Sequence, residues 1–378
     1  MCGIAGQISF KENMRCMGGV FAEMSRALTP RGPDADGEYC DDNAYLVHRR
    51  LIVIDPENGR QPMSSGDCTL VYNGELYNTE EIRSELKSRG VEFIGHSDTE
   101  VVLKAYMEYG EECVGMFNGI FAFAVWDSRR RKLFLARDRI GVKPLYYSLI
   151  DGGIVFASEI KALLKHPKIT PVVTSEGAAQ IMLIGPACVT GSGVFRDISE
   201  LPAAFCAEFT EDGLETRRYW SLKAAPHTES FEETAEHIRG LITDAVKRQL
   251  VSDVPLCCFL SGGLDSSVIS AIAAKEFAER GERLSTWSID YKDNHANFRA
   301  SSFQPDEDAP WIVRMAEYIG SEHTDVVLDT PALAEALDDA VYARDLPGMA
   351  DVDSSLWLFC REIKKKFSVA LSGECADE

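Results

Sequence analysis

Basic residues are scarce in this chain. In 378 residues, 39 Lys and Arg stand against 60 Asp and Glu, a formal net charge of −21. That balance argues against nucleic acid or an anionic membrane surface as a partner. No apolar run is long enough to span a bilayer. The N-terminus lacks the charged-then-apolar pattern of a signal peptide. The seven histidines form no cluster, and the eleven cysteines are odd in number and show no zinc spacing. No protein-built metal cage is therefore expected, and most cysteines read as small buried hydrophobes in a reducing, cytoplasmic compartment. A chain of this length is expected to form two domains, each burying its own core.

One cysteine is placed differently from the rest. Cys2 directly follows the initiator methionine in Met1-Cys2-Gly3-Ile4-Ala5-Gly6. Removal of Met1 would put a thiol and a free α-amine on one carbon. An amine with an ordinary pKa of roughly 7.7–8 is a usable general base near neutral pH, so nucleophile and base would arrive in one residue. A cysteine in a disordered tail is the plainer reading, and position alone does not displace it.

Other residues in the first hundred positions weigh against the plainer reading. Arg31-Gly32-Pro33-Asp34 is turn-prone, and His48 to Asp55 reads as an apolar strand opened by Arg49 and Arg50. Val71 to Asn78 reads as a strand with the turn signal Asn73-Gly74 inside it. Ser97-Asp98-Thr99-Glu100 looks like a helix start before the periodic run Val101 to Tyr109.

Together these runs resemble the class II glutamine amidotransferases, whose N-terminal cysteine hydrolyses the amide of glutamine. The resemblance implies that Cys2 attacks the side-chain carbonyl of glutamine. It implies that the Asn73 side chain and the Gly74 backbone N–H form the oxyanion hole, and that Arg50 clamps the α-carboxylate. The glutamine site would run along Arg50, Leu51, Ile52, Val53 and Ile54 and across Asn73, Gly74 and Glu75. Asp98, with Glu75, would hold the α-ammonium. The fold implied for residues 2–215 is a four-layer αββα domain. The apolar runs at 121–126, 132–137 and 153–158 suit its stacked antiparallel sheets.

The second informative run is Ser261-Gly262-Gly263-Leu264-Asp265-Ser266-Ser267. It follows the apolar strand 254–260 and precedes an apolar run that reads as a helix. Strand, glycine-rich turn and helix form a context in which backbone N–H groups bind phosphate. No Lys follows the glycines, so the run is not a Walker A loop. Beyond it, strands at 284–290, 324–328 and 367–371 alternate with helices at 308–319 and 354–366. A long amphipathic helix is expected over 231–251, with Ile238, Leu241, Ile242, Ala245 and Leu250 on one side. This alternation implies a doubly wound parallel sheet with ligand at the carboxyl ends of its strands.

The run SGGLDSS resembles the pyrophosphate loop of enzymes that split ATP between its α and β phosphates. The final run Ser372-Gly373-Glu374-Cys375-Ala376-Asp377-Glu378 resembles the second nucleotide motif of the glutamine-hydrolysing asparagine synthetases, with Cys375 at a family glycine. Both motif sets, in this order, resemble that family over the whole chain. The resemblance implies a nucleotide-binding domain over 216–378, C-terminally truncated, whose following helices lie past residue 378. ATP would be bordered by Phe259, Leu260, Ser261, Gly262, Gly263, Asp265, Ser266, Ile289, Ser372 and Gly373, with Mg2+ on Asp265 and Asp377. It also implies a ligase that uses glutamine, aspartate and ATP, and it allows a homodimer. Two alternatives stay open: the same machinery acting on another carboxylate, and a chain that keeps only glutaminase or binding function. Acceptor contacts cannot be placed by spacing, and a helix N-cap explains Asp351 to Ser355 as well as an acceptor site does.

Overall fold

A computed structural model describes residues 1–301 and 306–374. The chain divides into two compact units, Met1–Ala224 and Ala225–Glu378. No helix among the described residues is long and apolar enough to cross a membrane.

The first unit holds two six-stranded sheets. One runs, edge to edge, through Ser199–Glu200, Tyr146–Ile150, Gly153–Ala157, Gly3–Ser9, Ala44–Arg50 and Ala35–Cys40. The other runs through Gly213–Arg218, Phe205–Thr210, Lys132–Arg137, Gly119–Asp127, Cys68–Leu76 and Met63–Ser65. Every strand pairing in both is antiparallel. Strand Gly119–Asp127 shows why its sequence is continuously apolar. Ala122, Ala124 and Trp126 point between the sheets, against Ile4, Ile8 and Phe156. Phe121, Phe123 and Val125 point the other way, against Val101, Val102 and Tyr106 of helix Asp98–Tyr109. Both faces are covered, so the period of two is carried by residue size rather than polarity. Helices Gly18–Ala27 and Ile160–Leu163 pack on the outer side of the first sheet. The expected αββα layering is present.

Two local expectations fail here. Asn73-Gly74 makes no turn and lies inside the unbroken strand Cys68–Leu76, paired with Ala122 and Phe121. Burial on both faces overrides the intrinsic turn preference. A Cβ on Gly74 would fall 2.6 Å from the Ile120 carbonyl, so the glycine serves close strand approach. The strand expected over 48–55 ends instead at Arg50. Beyond it the chain turns away, held by the Arg50 guanidinium on the carbonyls of Ile54, Asp55 and Pro56.

The second unit contains a parallel four-stranded sheet in the order Glu322–Leu328, Ser285–Tyr291, Leu256–Phe259, Val369–Leu371. Cys257 and Cys258 face opposite sides of it. Cys258 packs with Val246, Leu250 and Ala273, from helices Phe231–Gln249 and Leu264–Glu279 and the residue after the first. Cys257 packs with Phe359 and Ile363 of helix Ala350–Ile363. The vicinal pair is core packing, and burial pushes both thiols up to about 12. Only half of the ten described cysteines are buried, fewer than expected. Helix Phe231–Gln249 opens with a capping box between Ser230 and Glu233. Its expected apolar side is only partly used. Val246 and the following Leu250 are buried, while Ile238, Leu241 and Ile242 stay exposed. Asp351 to Ser355 lie inside helix Ala350–Ile363, whose N-cap is Met349, so the capping explanation does not hold.

Two glycines test this packing in opposite directions. Gly74→Ala should destabilise the protein by roughly 1–3 kcal/mol, because strand must move from strand. Gly240→Ala, where an added Cβ meets nothing within 4 Å in a helix interior, should stabilise it by about 1 kcal/mol. Urea unfolding of both variants checks this, and equal effects from the two would contradict the packing described.

Candidate active site

Strand Gly3–Ser9 is buried along its whole length and paired on both sides, to Ala44–Arg50 and to Gly153–Ala157. Its first registered pair is Gly3 with Arg49, so Cys2 emerges level with Arg50. Three contacts fix it there. The Cys2 thiol donates to the Leu51 carbonyl at 3.7 Å. Arg31 Nε donates to the Cys2 carbonyl at 2.8 Å, and its Nη1 pairs with Glu159 at 2.9 Å. Glu159 is in turn paired with Lys161 at 2.7 Å. Met1 is exposed beside this cluster. Burial pushes the Cys2 thiol up, opposed by the Leu51 contact and the chain's terminal ammonium.

The strand Cys68–Leu76 brings the other amidotransferase candidates to the same place. Asn73 is buried, and its Nδ2 has no hydrogen-bond partner. Buried donors are rarely left orphaned in folded proteins. Asp98 opens helix Asp98–Tyr109, whose N-cap is the Ser97 hydroxyl. Its Oδ2 accepts from the Tyr72 hydroxyl at 2.9 Å and from Leu76 N at 3.1 Å. These bonds tie the helix start to the strand segment that carries Asn73, Gly74 and Glu75. Burial raises the pKa of Asp98. Burial, then the neighbouring Asp98, pushes Glu75 up to about 8. The two carboxyls titrate as a pair that resists holding two negative charges at once. Arg50 is buried and gives three hydrogen bonds to the 54–56 carbonyls, which leaves two of its five N–H donors outside those bonds. Leu51, Ile52, Val53 and Ile54 are partly exposed along the same edge, and Ile52 N donates to Asp34 at 2.9 Å.

In the second unit, strand Leu256–Phe259 leads into a tight loop and then helix Leu264–Glu279. The Ser261 and Ser266 hydroxyls are 2.9 Å apart, and Ser261 N donates to Ser266 Oγ at 3.2 Å. Gly262 has φ +80, and a Cβ there would fall 2.8 Å from Trp311 Cβ. The N-cap, Gly263, offers no side-chain cap, so no capping side chain takes up the first amides of the helix. Gly373 backs onto this turn, where a Cβ would come within 2.9 Å of Asp265 Cβ. Ser261, Gly262, Gly263, Asp265, Ser266 and Gly373 therefore converge, with Ser372 adjacent in the chain. Three further expected residues pack their side chains into apolar clusters. Leu260 is buried against Ile312 and Ala316, Phe259 packs on Phe359 at 4.8 Å, and Ile289 packs in apolar clusters with Val326. Their side chains belong to the core, which leaves only backbone to face a ligand. Asp377 and Cys375 lie outside the described residues. Among the described residues no group of three or more His, Cys, Asp or Glu could cage a metal.

Residues 1–220 match the family model of the glutamine amidotransferase domain. The chain belongs to this family. Residues 237–378 match the asparagine synthase model. Asparagine synthetase [glutamine-hydrolyzing] 3 of Bacillus subtilis (strain 168) is 50% identical over 100% of this chain and 62% of its own length. Asparagine synthetase B [glutamine-hydrolyzing] of Escherichia coli (strain K12) is 33% identical over 100% of this chain and 64% of its own. The chain thus spans less than two thirds of these relatives. Among solved structures, a glutamine phosphoribosylpyrophosphate amidotransferase from B. subtilis complexed with ADP and GMP aligns at TM-score 0.44 and 14% identity, covering 86% of this chain and 81% of that one.

The sequence reading of this amidotransferase domain missed four residues around Cys2: Arg31, Glu159, Lys161 and Lys143. Arg31 was visible only as part of a turn, and its partners lie 29 and 128 positions away. A charged residue flanked by Gly and Pro was the only available signal. The geometry generates a test of the thiol itself. In protein that retains Met1, iodoacetamide should label Cys2 more slowly than exposed Cys16 at pH 7, and the Cys2 rate should still be climbing above pH 9, because the thiolate is the reactive form. Peptide mass spectrometry reads both sites in one sample. Faster labelling of Cys2 than of Cys16 at pH 7 would contradict the burial effect.

Proposed function

We propose that the chain acts as a glutamine-dependent asparagine synthetase. Glutamine is hydrolysed at Cys2, and the ammonia amidates an aspartyl-adenylate made from ATP and aspartate. The products are asparagine, AMP, pyrophosphate and glutamate. The observation that carries the glutaminase half is the orphaned, buried Asn73 Nδ2 beside Gly74, two residues before a Glu75 that interacts electrostatically with Cys2, itself held at the start of a buried strand.

In this reading Met1 is removed and the Cys2 amine takes the thiol proton. Sγ attacks the side-chain carbonyl of glutamine, and the oxygen gains negative charge. Asn73 Nδ2 and the Gly74 N–H receive it, each donor contributing on the order of 3 kcal/mol in a site closed to water. The amine then gives the proton to the departing ammonia, and water hydrolyses the thioester to glutamate. The two unused Arg50 donors suit the α-carboxylate, and Asp98 with Glu75 suits the α-ammonium. In the second unit, the loop at Ser261, Gly262, Gly263 and Ser266 would cradle ATP phosphates with backbone amides. The single described carboxylate at that helix start, Asp265, is a hard oxygen donor of the kind that shares Mg2+ with phosphates, so the residues fit that ion, with Asp377 as a second donor. When bound, Mg2+ neutralises charge on the pyrophosphate. Ser372 and Gly373 would border the nucleoside. A cytoplasmic setting and a homodimer are compatible with this reading.

Cys2→Ala should lower glutamate release by at least ~10^3-fold and leave any ammonia-dependent reaction in place. Coupled assays with glutamine or with ammonium salts distinguish the two, and full glutaminase activity in the variant would defeat the proposal. Asp265→Asn should remove Mg2+-dependent pyrophosphate release and spare glutamine hydrolysis, since a carboxylate beside phosphates is favourable only with a cation between them. Unchanged pyrophosphate release would reject that assignment. Offering aspartate and other carboxylic acids singly in the same assay identifies the acceptor.

A further inference from the structure

Lys143 is only 7% exposed, an uncommon place for a lysine without a partner. Its backbone is clamped from both sides. Asp138, fully buried, accepts from Lys143 N at 3.0 Å and Val142 N at 3.0 Å, and from Phe121 N at 3.2 Å. Arg137 donates to the Lys143 carbonyl at 2.8 Å and to the Gly141 carbonyl at 2.8 Å. Gly141 has φ +73, the left-handed region that favours glycine. Phe121 is the residue paired with Gly74, so the cradle is built onto the strand directly opposite the oxyanion-hole candidate. What the cradle leaves free is the lysine side chain. Its ammonium closes no hydrogen bond or contact ion pair among the described residues, yet it interacts electrostatically with Glu75, Arg31, Cys2 and Asp138.

Charge balance says what such an ammonium does. Arg50 answers one carboxylate of a bound glutamine. Glu75 and Asp98 resist being charged together, and when both are ionised to receive a single α-ammonium one negative charge is in excess in a site of low dielectric. We propose that Lys143 is a positioning residue of the glutaminase site, its ammonium serving as the fixed counter-ion of Glu75 while Asp98 and Glu75 receive the α-ammonium of the substrate. This rests on the glutaminase reading and extends it to a residue outside the glutamine contacts. Glu75 faces Asp98, Lys143, the terminal ammonium, Cys2, Tyr72 and Tyr77. Of these, Lys143 is the cation that Met1 removal does not relocate.

The sign follows from the carboxyl. Glu75 must lose its proton to receive an ammonium, and a nearby cation favours that loss. Removing the cation makes binding demand a higher pH. Glutamine hydrolysis by the whole chain is followed from pH 6 to 10 in the parent, Lys143→Met and Lys143→Arg. Lys143→Met should shift the acid limb of kcat/KM upward by about one pH unit and lower kcat/KM at pH 7 by about tenfold, chiefly through KM. Lys143→Arg, which keeps the charge, should stay within about twofold of the parent. Placed on Glu75→Gln, Lys143→Met should add less than about twofold, since no carboxylate is left to balance. Should Lys143→Met not fold, Lys143→Gln carries the same comparisons. An unmoved acid limb in an active, folded variant overturns the Lys143 assignment alone, as does failure of arginine to rescue. A parent that releases no glutamate overturns the glutaminase reading and this proposal with it.

Discussion

The candidate chemistry of the first unit depends on the burial of one strand. Chain ends normally fray, because nothing holds their backbone. Gly3–Ser9 is instead paired on both sides, and Ile4 and Ile8 are wholly buried between the sheets. Ser158 closes the end of the strand: its hydroxyl accepts from Ile4 N at 3.0 Å, and its N–H donates to the Ile4 carbonyl at 2.8 Å. Peeling the strand away would expose two large aliphatic side chains, at roughly 1.5–3 kcal/mol each, besides its hydrogen bonds. Residue 2 is therefore held about as firmly as a core residue while remaining one peptide bond from the terminus. That combination is what an N-terminal nucleophile requires.

Around that strand end the protein buries charge, which is costly unless each charge is answered. Arg31, Glu159 and Lys161 answer one another, and Arg31 also reaches the Cys2 carbonyl. Arg137 pairs with Glu200 at 2.7 Å, and Arg137 and Asp138 also bond backbone groups that shape the loop at 138–143. Glu75 and Asp98 are different, because two acidic groups share a space that favours one negative charge. Groups with perturbed ionisation of this kind cluster at functional sites more than they serve stability.

Much of this was legible in the sequence, and what was not shares one cause. Strands at 121–126 and 132–137 and the Ser97 cap were readable because periodicity and capping are local properties. The loop at Ser261 was readable because its glycines and serines act within seven residues. Asn73-Gly74 misled because a turn preference of the same local kind was overridden by burial on two faces. Arg50 ended its strand early for a similar reason, since its guanidinium found carbonyls in the segment after it. Ile289, Phe259 and Leu260 stand at ligand-facing places in the chain order, yet their side chains turn into the core. The contacts of Lys143 and Arg31 were not legible, because the groups that define them are distant in sequence. No pattern of spacing announces a contact between residues 31 and 159.

In the proposed reading the two units prepare for charged ligands by opposite means. The first relies on side chains, and each of Arg50, Asp98 and Glu75 carries a formal charge whose state depends on its neighbours. The second relies on backbone: its loop presents amides, and its requirements are steric. Gly262 must take a left-handed φ against Trp311, and Gly373 must come close to Asp265. A side-chain site can be tuned by a single ionisable neighbour, as a lysine beside Glu75 does. A backbone site has no such adjustment, since its amides do not titrate and an added Cβ at Gly262 or Gly373 crowds it. Sensitivity of ligand binding to pH should therefore concentrate in the first unit, while in the loop of the second the bulk of a methyl group at Gly262 or Gly373 should matter more than pH.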